Sequence, residues 1–191
     1  MERLPTVFID RDGTINIESG YINHPVNFRL YPFAAQAIRI LNEHGIQVVV
    51  VTNQAGVGRG YFDENHVNML HTLMKEKLKS QGAHIDALYY CPHHSSSKDP
   101  KYSAECDCRK PSPGMVNKAL AELPVDRERM FVIGDRKGDM KLAENTGACG
   151  IMVRTGYGEG ELIKEKNIPA EVITDNLLTA VYEVLSRIEQ D

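Results

Sequence analysis

The sequence predicts a doubly wound, Rossmann-like α/β domain built on a parallel sheet. Short β-branched apolar runs alternate with longer amphipathic stretches, the pattern of βα units. Residues 48–51 are four consecutive valines, as in a strand covered on both faces. Polar residues with chemistry to offer follow directly after these runs, where open α/β sheets bind ligands.

The expected strands cover 6–10, 47–53, 85–91, 130–135, 150–155 and 171–174. The first helix, 33–42, places Ala34, Ala37, Ile38 and Leu41 at helical spacing, with Gly45 as its stop. Asp63 is positioned to cap a second helix reaching 81, with Val67, Leu70, Leu73, Met74 and Leu78 on one face. Ser112 and Pro113 read as N-cap and first residue of a third helix running to 123. Two more are expected at 138–146 and 177–188. With 191 residues, 42% of them hydrophobic and 25% charged, the chain is read as a single domain over 1–191.

A net charge of −4 argues against a surface for nucleic acid or an anionic membrane. No apolar run approaches the length of a membrane span, and Asp10 and Arg11 interrupt the first one. The expected compartment is the cytoplasm, where thiols stay reduced. Four cysteines are therefore read first as ligands or core residues.

Residues 7–16, VFIDRDGTIN, aim Asp10 and Asp12 to the same side of a strand end. The second strand ends in Thr52 and Asn53, the fourth in Asp135, with Asp139 four residues later. Arg109 and Lys110 precede the third helix. Carboxylates, a hydroxyl, an amide and cations converging on one place suit phosphoryl transfer. One Asp can attack phosphorus, and a second carboxyl can move the protons. Mg²⁺ would take carboxylates and phosphate oxygens and relieve their repulsion.

Residues 91–111 are polar, Ser-rich and almost free of aliphatic side chains, so no core can order them. Cys91 and His93 flank one residue, Cys106 and Cys108 flank another, and twelve residues separate the pairs. One Cys₃His set matches a closed structural Zn²⁺ site. Fixing about twenty residues costs on the order of 20–40 kcal/mol, towards which structural zinc supplies about 10–16 kcal/mol. The competing readings are a redox pair at Cys106 and Cys108, solvated thiols, or His94 replacing His93. Cys149 reads as a small core residue.

DRDGT, VVVTN, RKP and VIGD, in this order and spacing, resemble the four motifs of the haloacid dehalogenase superfamily of phosphatases. The resemblance implies Asp10 as nucleophile, Asp12 as general acid and base, and Thr52 and Lys110 as holders of the transferring phosphoryl group. Asp135 would bind Mg²⁺ with Asp10 and the main chain at Asp12. The short stretches between motifs leave no room for a cap domain. An open site is expected, bordered by the loops 16–30 and 55–61 and the zinc loop, about 91–108, in a chain that is a monomer.

Within the superfamily the chain resembles the histidinol-phosphatase-like branch, with a small sugar phosphate as the favoured substrate and histidinol phosphate as the alternative. By this resemblance Glu18, Ser19, Gly20, Tyr21, Asn53, Gln54 and Ala55 would contact the sugar. Arg11, Arg109 and Arg136 are further expected substrate contacts, Arg136 standing where the pattern often has Lys. Arg59 would offer a second cation to a bisphosphate or be a solvated loop residue. Nucleic-acid ends as substrates are disfavoured by charge, and a non-catalytic binding module by the presence of both Asp10 and Asp12.

Overall fold

A computed structural model describes residues 2–103 and 105–190. Its strands are β1 (Leu4–Ile9), β2 (Gln47–Asn53), β3 (Ala87–Cys91), β4 (Val125–Gly134), β5 (Cys149–Val153) and β6 (Val172–Thr174). All pair in parallel in the order β3-β2-β1-β4-β5-β6. The chain winds outward from β1 in one direction, then returns to β4 on its other side. The crevice between the ends of β1 and β4 is the switch point at which such sheets bind ligands.

Helices α1 (Ala34–Glu43), α3 (Glu64–Lys79) and α8 (Leu177–Ile188) cover one face. There Val7, Ile9, Val48, Val50 and Ile133 pack with Ile38, Leu41, Leu70, Met74 and Val184. On the other face α5 (Gly114–Glu122) and α6 (Lys137–Thr146) bring Met115, Val116 and Leu142 onto Phe8, Val49, Val51 and Val132. Alternate residues of one strand thus serve opposite cores, which is why these strands read as unbroken apolar runs.

Asp63 caps α3 as expected, its carboxylate accepting from the His66 N–H at 2.8 Å. The third helix departs from expectation. Pro113 is its N-cap and Gly114 its first residue, because the Gly114 N–H is engaged by the Asp107 carbonyl at 2.8 Å. Strand β4 begins five residues earlier than the apolar pattern indicates. Its first half holds Asp126, Arg127, Glu128 and Arg129, a charged stretch at which the register with β1 shifts between the Leu4–Val125 and Thr6–Met130 pairs. The short helices α2 (Ala55–Gly58), α4 (Pro100–Ser103) and α7 (Gly158–Lys164) carry too few residues for a periodic signal. No helix of the described residues is long and apolar enough to cross a membrane. As expected, only a 3-10 turn (Pro25–Asn27) and α1 lie between β1 and β2, and only α2 and α3 between β2 and β3.

Ile9 is fully buried at the centre of the sheet. Ile9→Ala should cost about 2–5 kcal/mol, read as a lower urea midpoint at unchanged m-value.

Candidate active site

Strand β1 delivers Asp10 to the crevice and β4 delivers Asp135. Asp139 follows one turn into α6, and Lys110 enters from the segment before α5. The Lys110 ammonium lies 2.7 Å from Asp10 Oδ1 and 2.6 Å from Asp139 Oδ1, and donates to the Val51 carbonyl at 2.9 Å. All four residues are at least nine-tenths buried. The Asn53 amide sets the lysine's main chain, accepting from its N–H at 3.1 Å and donating to its carbonyl at 3.2 Å.

Asp10, Asp135 and Asp139 each bring a carboxylate oxygen to within 4.8 Å of the others. Burial, then the neighbouring Asp10 and Asp139, push Asp135 up to about 9. Burial also raises Asp10 to about 7, against the pull of Lys110. Asp135 Oδ2 accepts from the Tyr157 N–H at 2.7 Å, while its buried Oδ1 has no partner. A buried acceptor left unpaired costs about 1–3 kcal/mol, and a cation at this point would remove that cost. Gly13, at φ +84°, permits the approach, since a Cβ there would run into Asp135 Oδ2.

Asp12 is held differently. Its carboxylate accepts from Arg11 Nε and Nη2, from Asn16 Nδ2 and from Gln54 Nε2, at 2.7–3.2 Å. Burial alone would raise its pKa, but Arg11, Asn16 and Gln54 outweigh it and hold the group below its usual value. Arg11 and Gln54, expected as substrate contacts, border the cavity with their donors turned onto Asp12. Arg11 is 1% exposed and Gln54 4%, and both turn onto Asp12, because an ionised carboxylate cannot be buried without donors. Gln54 Nε2 also reaches Thr52 Oγ1 at 2.9 Å, tying the ends of β1 and β2 together.

These groups floor a cavity of about 500 Å³, and Glu18, Gly20, Tyr21, Asn53, Ala55, Arg109 and Arg136 form its walls. Ser19 and Arg59 do not line it. Ser19 faces an outer groove beside Arg29, and Arg59 lies between its own loop and the 96–102 segment. Arg136 sits 3.5 Å over the Tyr157 ring and Arg109 donates to the His93 carbonyl at 3.1 Å. Asp10 and Asp135 of the expected Mg²⁺ set meet in this cluster, with Asp139 beside them. The Asp12 carboxylate turns to its four donors, and the expectation placed its main chain, not its carboxylate, on the ion. Asp139 was visible only as an acidic residue one turn after Asp135, a weak signal by itself.

Cys91, His93, Cys106 and Cys108 converge as the spacing suggested, their ligand atoms within 4.8 Å of one another. Cys91 Sγ lies 3.6 Å from both Cys106 Sγ and His93 Nδ1, and His93 Nδ1 lies 3.2 Å from Cys108 Sγ. Tetrahedral zinc would separate such atoms by roughly 3.5–3.8 Å. His94 is outside this cluster.

Fold and site together define a haloacid dehalogenase-like phosphomonoester hydrolase. Residues 107–180 match the HAD-hydrolase-like family. A D-glycero-beta-D-manno-heptose-1,7-bisphosphate 7-phosphatase of Haemophilus influenzae is 40% identical over 83% of this chain and 88% of its own. The D-glycero-D-manno-heptose-1,7-bisphosphate 7-phosphatase of Chlorobaculum tepidum is 38% identical over 95% and 94%. The crystal structure of D,D-heptose 1,7-bisphosphate phosphatase from B. bronchiseptica, complexed with magnesium and phosphate, superposes with a TM-score of 0.85. It is 29% identical and covers 98% of this chain and 99% of its own. The chain belongs to the heptose-1,7-bisphosphate 7-phosphatase family of haloacid dehalogenase-like hydrolases.

Beneath the site, His71 of α3 is buried and its Nε2 has no partner. Burial first, then the Arg11 charge, push it down to about 3. A group depressed on folding contributes its stability above the unfolded value, about 6.5, and loses it as pH falls towards the folded one. At about 1.4 kcal/mol per pH unit, His71→Leu should lose about 2 kcal/mol less than the native chain between pH 7 and 5, measured by urea unfolding.

Proposed function

We propose that the chain removes the C7 phosphate of D-glycero-D-manno-heptose 1,7-bisphosphate through a phosphoaspartate on Asp10. The observation that carries this is the Asp10–Lys110–Asp139 cluster beside the unpaired oxygen of Asp135, at the switch point of the sheet. Asp10 attacks phosphorus and the bond from phosphorus to the sugar oxygen breaks. Asp12 gives that oxygen its proton, leaving heptose 1-phosphate. A water, losing its proton to Asp12, then attacks the phosphoaspartate, and the bond to Asp10 breaks to release inorganic phosphate. Lys110 and the Thr52 hydroxyl hold the phosphoryl oxygens, and Lys110 also keeps Asp10 oriented between turnovers.

The donors around Asp12 keep it ionised in the free site, as a base requires. The arriving phosphate dianion supplies the repulsion that raises its pKa for the acid step. Asp10 and Asp135, with the main chain at Asp12, would hold Mg²⁺. Bound there, the ion supplies charge neutralisation that lets an anionic nucleophile meet an anionic phosphate. The acidic donor set and the orphaned Asp135 oxygen suit such a hard cation, and the magnesium complex of the B. bronchiseptica relative supports it.

Cys91, His93, Cys106 and Cys108 would hold structural Zn²⁺. Burial pushes the Cys91 thiol up, so a bound cation is what would keep it a thiolate. With four protein ligands the zinc has no open position, and its part is to place Arg109 and Lys110.

Phosphate release with Mg²⁺, on both anomers of heptose 1,7-bisphosphate beside histidinol phosphate and p-nitrophenyl phosphate, tests the reading. A strong preference for one bisphosphate with one phosphate released is expected. Preference for histidinol phosphate would overturn the substrate and keep the chemistry. Asp10→Asn should lower turnover by at least about 10³-fold, comparable to losing a nucleophile elsewhere. Cys108→Ser should lose the zinc by elemental analysis and reduce kcat along with it, since Lys110 lies two residues away.

A further inference from the structure

At the entry to α7 the chain reads Gly156-Tyr157-Gly158. Gly156 takes φ +60°, and a Cβ there would run into Asp135 Oδ2, while one at Gly158 would run into the Val153 carbonyl. The two glycines let the chain close on the end of β4. Tyr157 is thereby held against two successive residues of the site. Its N–H donates to Asp135 Oδ2 at 2.7 Å, and its ring carries the Arg136 guanidinium carbon 3.5 Å from its centre.

Arg136 and Tyr157 both line the catalytic cavity. At that separation the guanidinium is in van der Waals contact with the ring face, a packing that suits planar Arg better than the compact ammonium of Lys. Glu161, one turn further along α7, takes one corner of the guanidinium, with Oε1 3.5 Å from Nη1. Its other oxygen accepts from the Lys137 N–H at 2.6 Å, which fixes the carboxylate in turn.

The Nε–Nη2 edge of Arg136 has no hydrogen-bond partner among the described residues. It is the edge with which Arg11 grips both oxygens of Asp12, and it matches two phosphate oxygens equally well. An arginine free to rotate loses side-chain entropy when it binds an anion, and one already held on a ring and a carboxylate loses less. Asp10 and Lys110 floor the cavity, where the reacting phosphoryl group sits. Arg136 stands on the wall, which leaves its free edge for the other phosphate.

We propose that Tyr157 is a positioning residue for substrate specificity, its ring holding the Arg136 guanidinium at the cavity wall with the Nε–Nη2 edge open to the phosphate that is not hydrolysed. This rests on the bisphosphate reading above. One residue then serves both ends of the substrate, by its main chain at Asp135 and by its side chain at Arg136.

The test compares kcat/KM for heptose 1,7-bisphosphate with that for heptose 7-phosphate, which keeps the sugar and lacks the second phosphate. It is run in the native chain, Tyr157→Leu, Tyr157→Phe, Arg136→Ala and the double variant Arg136→Ala/Tyr157→Leu. Tyr157→Leu should lower the ratio of the two values about fivefold, the scale of one partly exposed cation–π contact, with the loss falling on KM for the bisphosphate. Tyr157→Phe, which keeps the ring, should retain most of the native ratio. In the Arg136→Ala background Tyr157→Leu should lower the ratio no further, since the ring acts through the arginine. A native ratio in Tyr157→Leu, an equal fall in Tyr157→Phe, or a further fall in the double variant would overturn the proposal. A native chain with no preference for the bisphosphate would overturn the substrate reading and this proposal together, whereas a preference that survives Tyr157→Leu overturns this proposal alone.

Discussion

One buried ammonium among three buried carboxylates sets the charge balance on which the site depends. Lys110 bonds to Asp10 and Asp139 but not to Asp135, whose inner oxygen is left without a partner. Burial in low dielectric makes each ionised carboxylate costly and their mutual repulsion strong. The protein does not relieve this with a second basic side chain. It leaves a shortfall of positive charge that a divalent cation would fill. The rest of the active site is arranged around that shortfall: the Asn53 amide fixing the lysine's backbone, Gly13 yielding space to Asp135, and the Tyr157 N–H engaging its outer oxygen.

Asp12, two residues from Asp10, shows how the same strand end supports opposite behaviour. Asp10 is buried beside other acids and is raised, whereas Asp12 is buried among N–H donors and is lowered. The two neighbouring carboxyl groups are thus set apart in the free site, Asp12 ionised among its donors and Asp10 dependent on Lys110 for its charge. The residues that accomplish it are Arg11, Asn16 and Gln54, each of which donates to the Asp12 carboxylate.

Much of this was legible in the sequence because strand ends are easy to find. The valines of β2 and the apolar run of β1 locate Thr52 and Asp10 without tertiary information, and parallel pairing brings the ends together. Side-chain direction was not legible. Nothing in DRDGT says that Arg11 turns inward, since Arg is exposed by default and its burial depends on a carboxylate whose own position depends on the fold. Asp139 was placed among the converging carboxylates, but its contact with Lys110 was not legible, since it joins residues from separate elements across the crevice. The zinc loop is the reverse case. Its ligand spacing predicted the Cys₃His cluster, while α4 inside it was too short to leave a periodic trace.

The central claim is that the acidic cluster is built for a divalent cation, and calorimetric titration of Mg²⁺ at pH 7 in two buffers of different ionisation enthalpy tests it most directly. Burial and mutual repulsion raise Asp135 and Asp10, so protons and the metal compete for these carboxylates. The account predicts proton release on binding and affinity that rises with pH until about 9. Mg²⁺ binding with no proton release, or the same binding in Asp135→Asn, would contradict it.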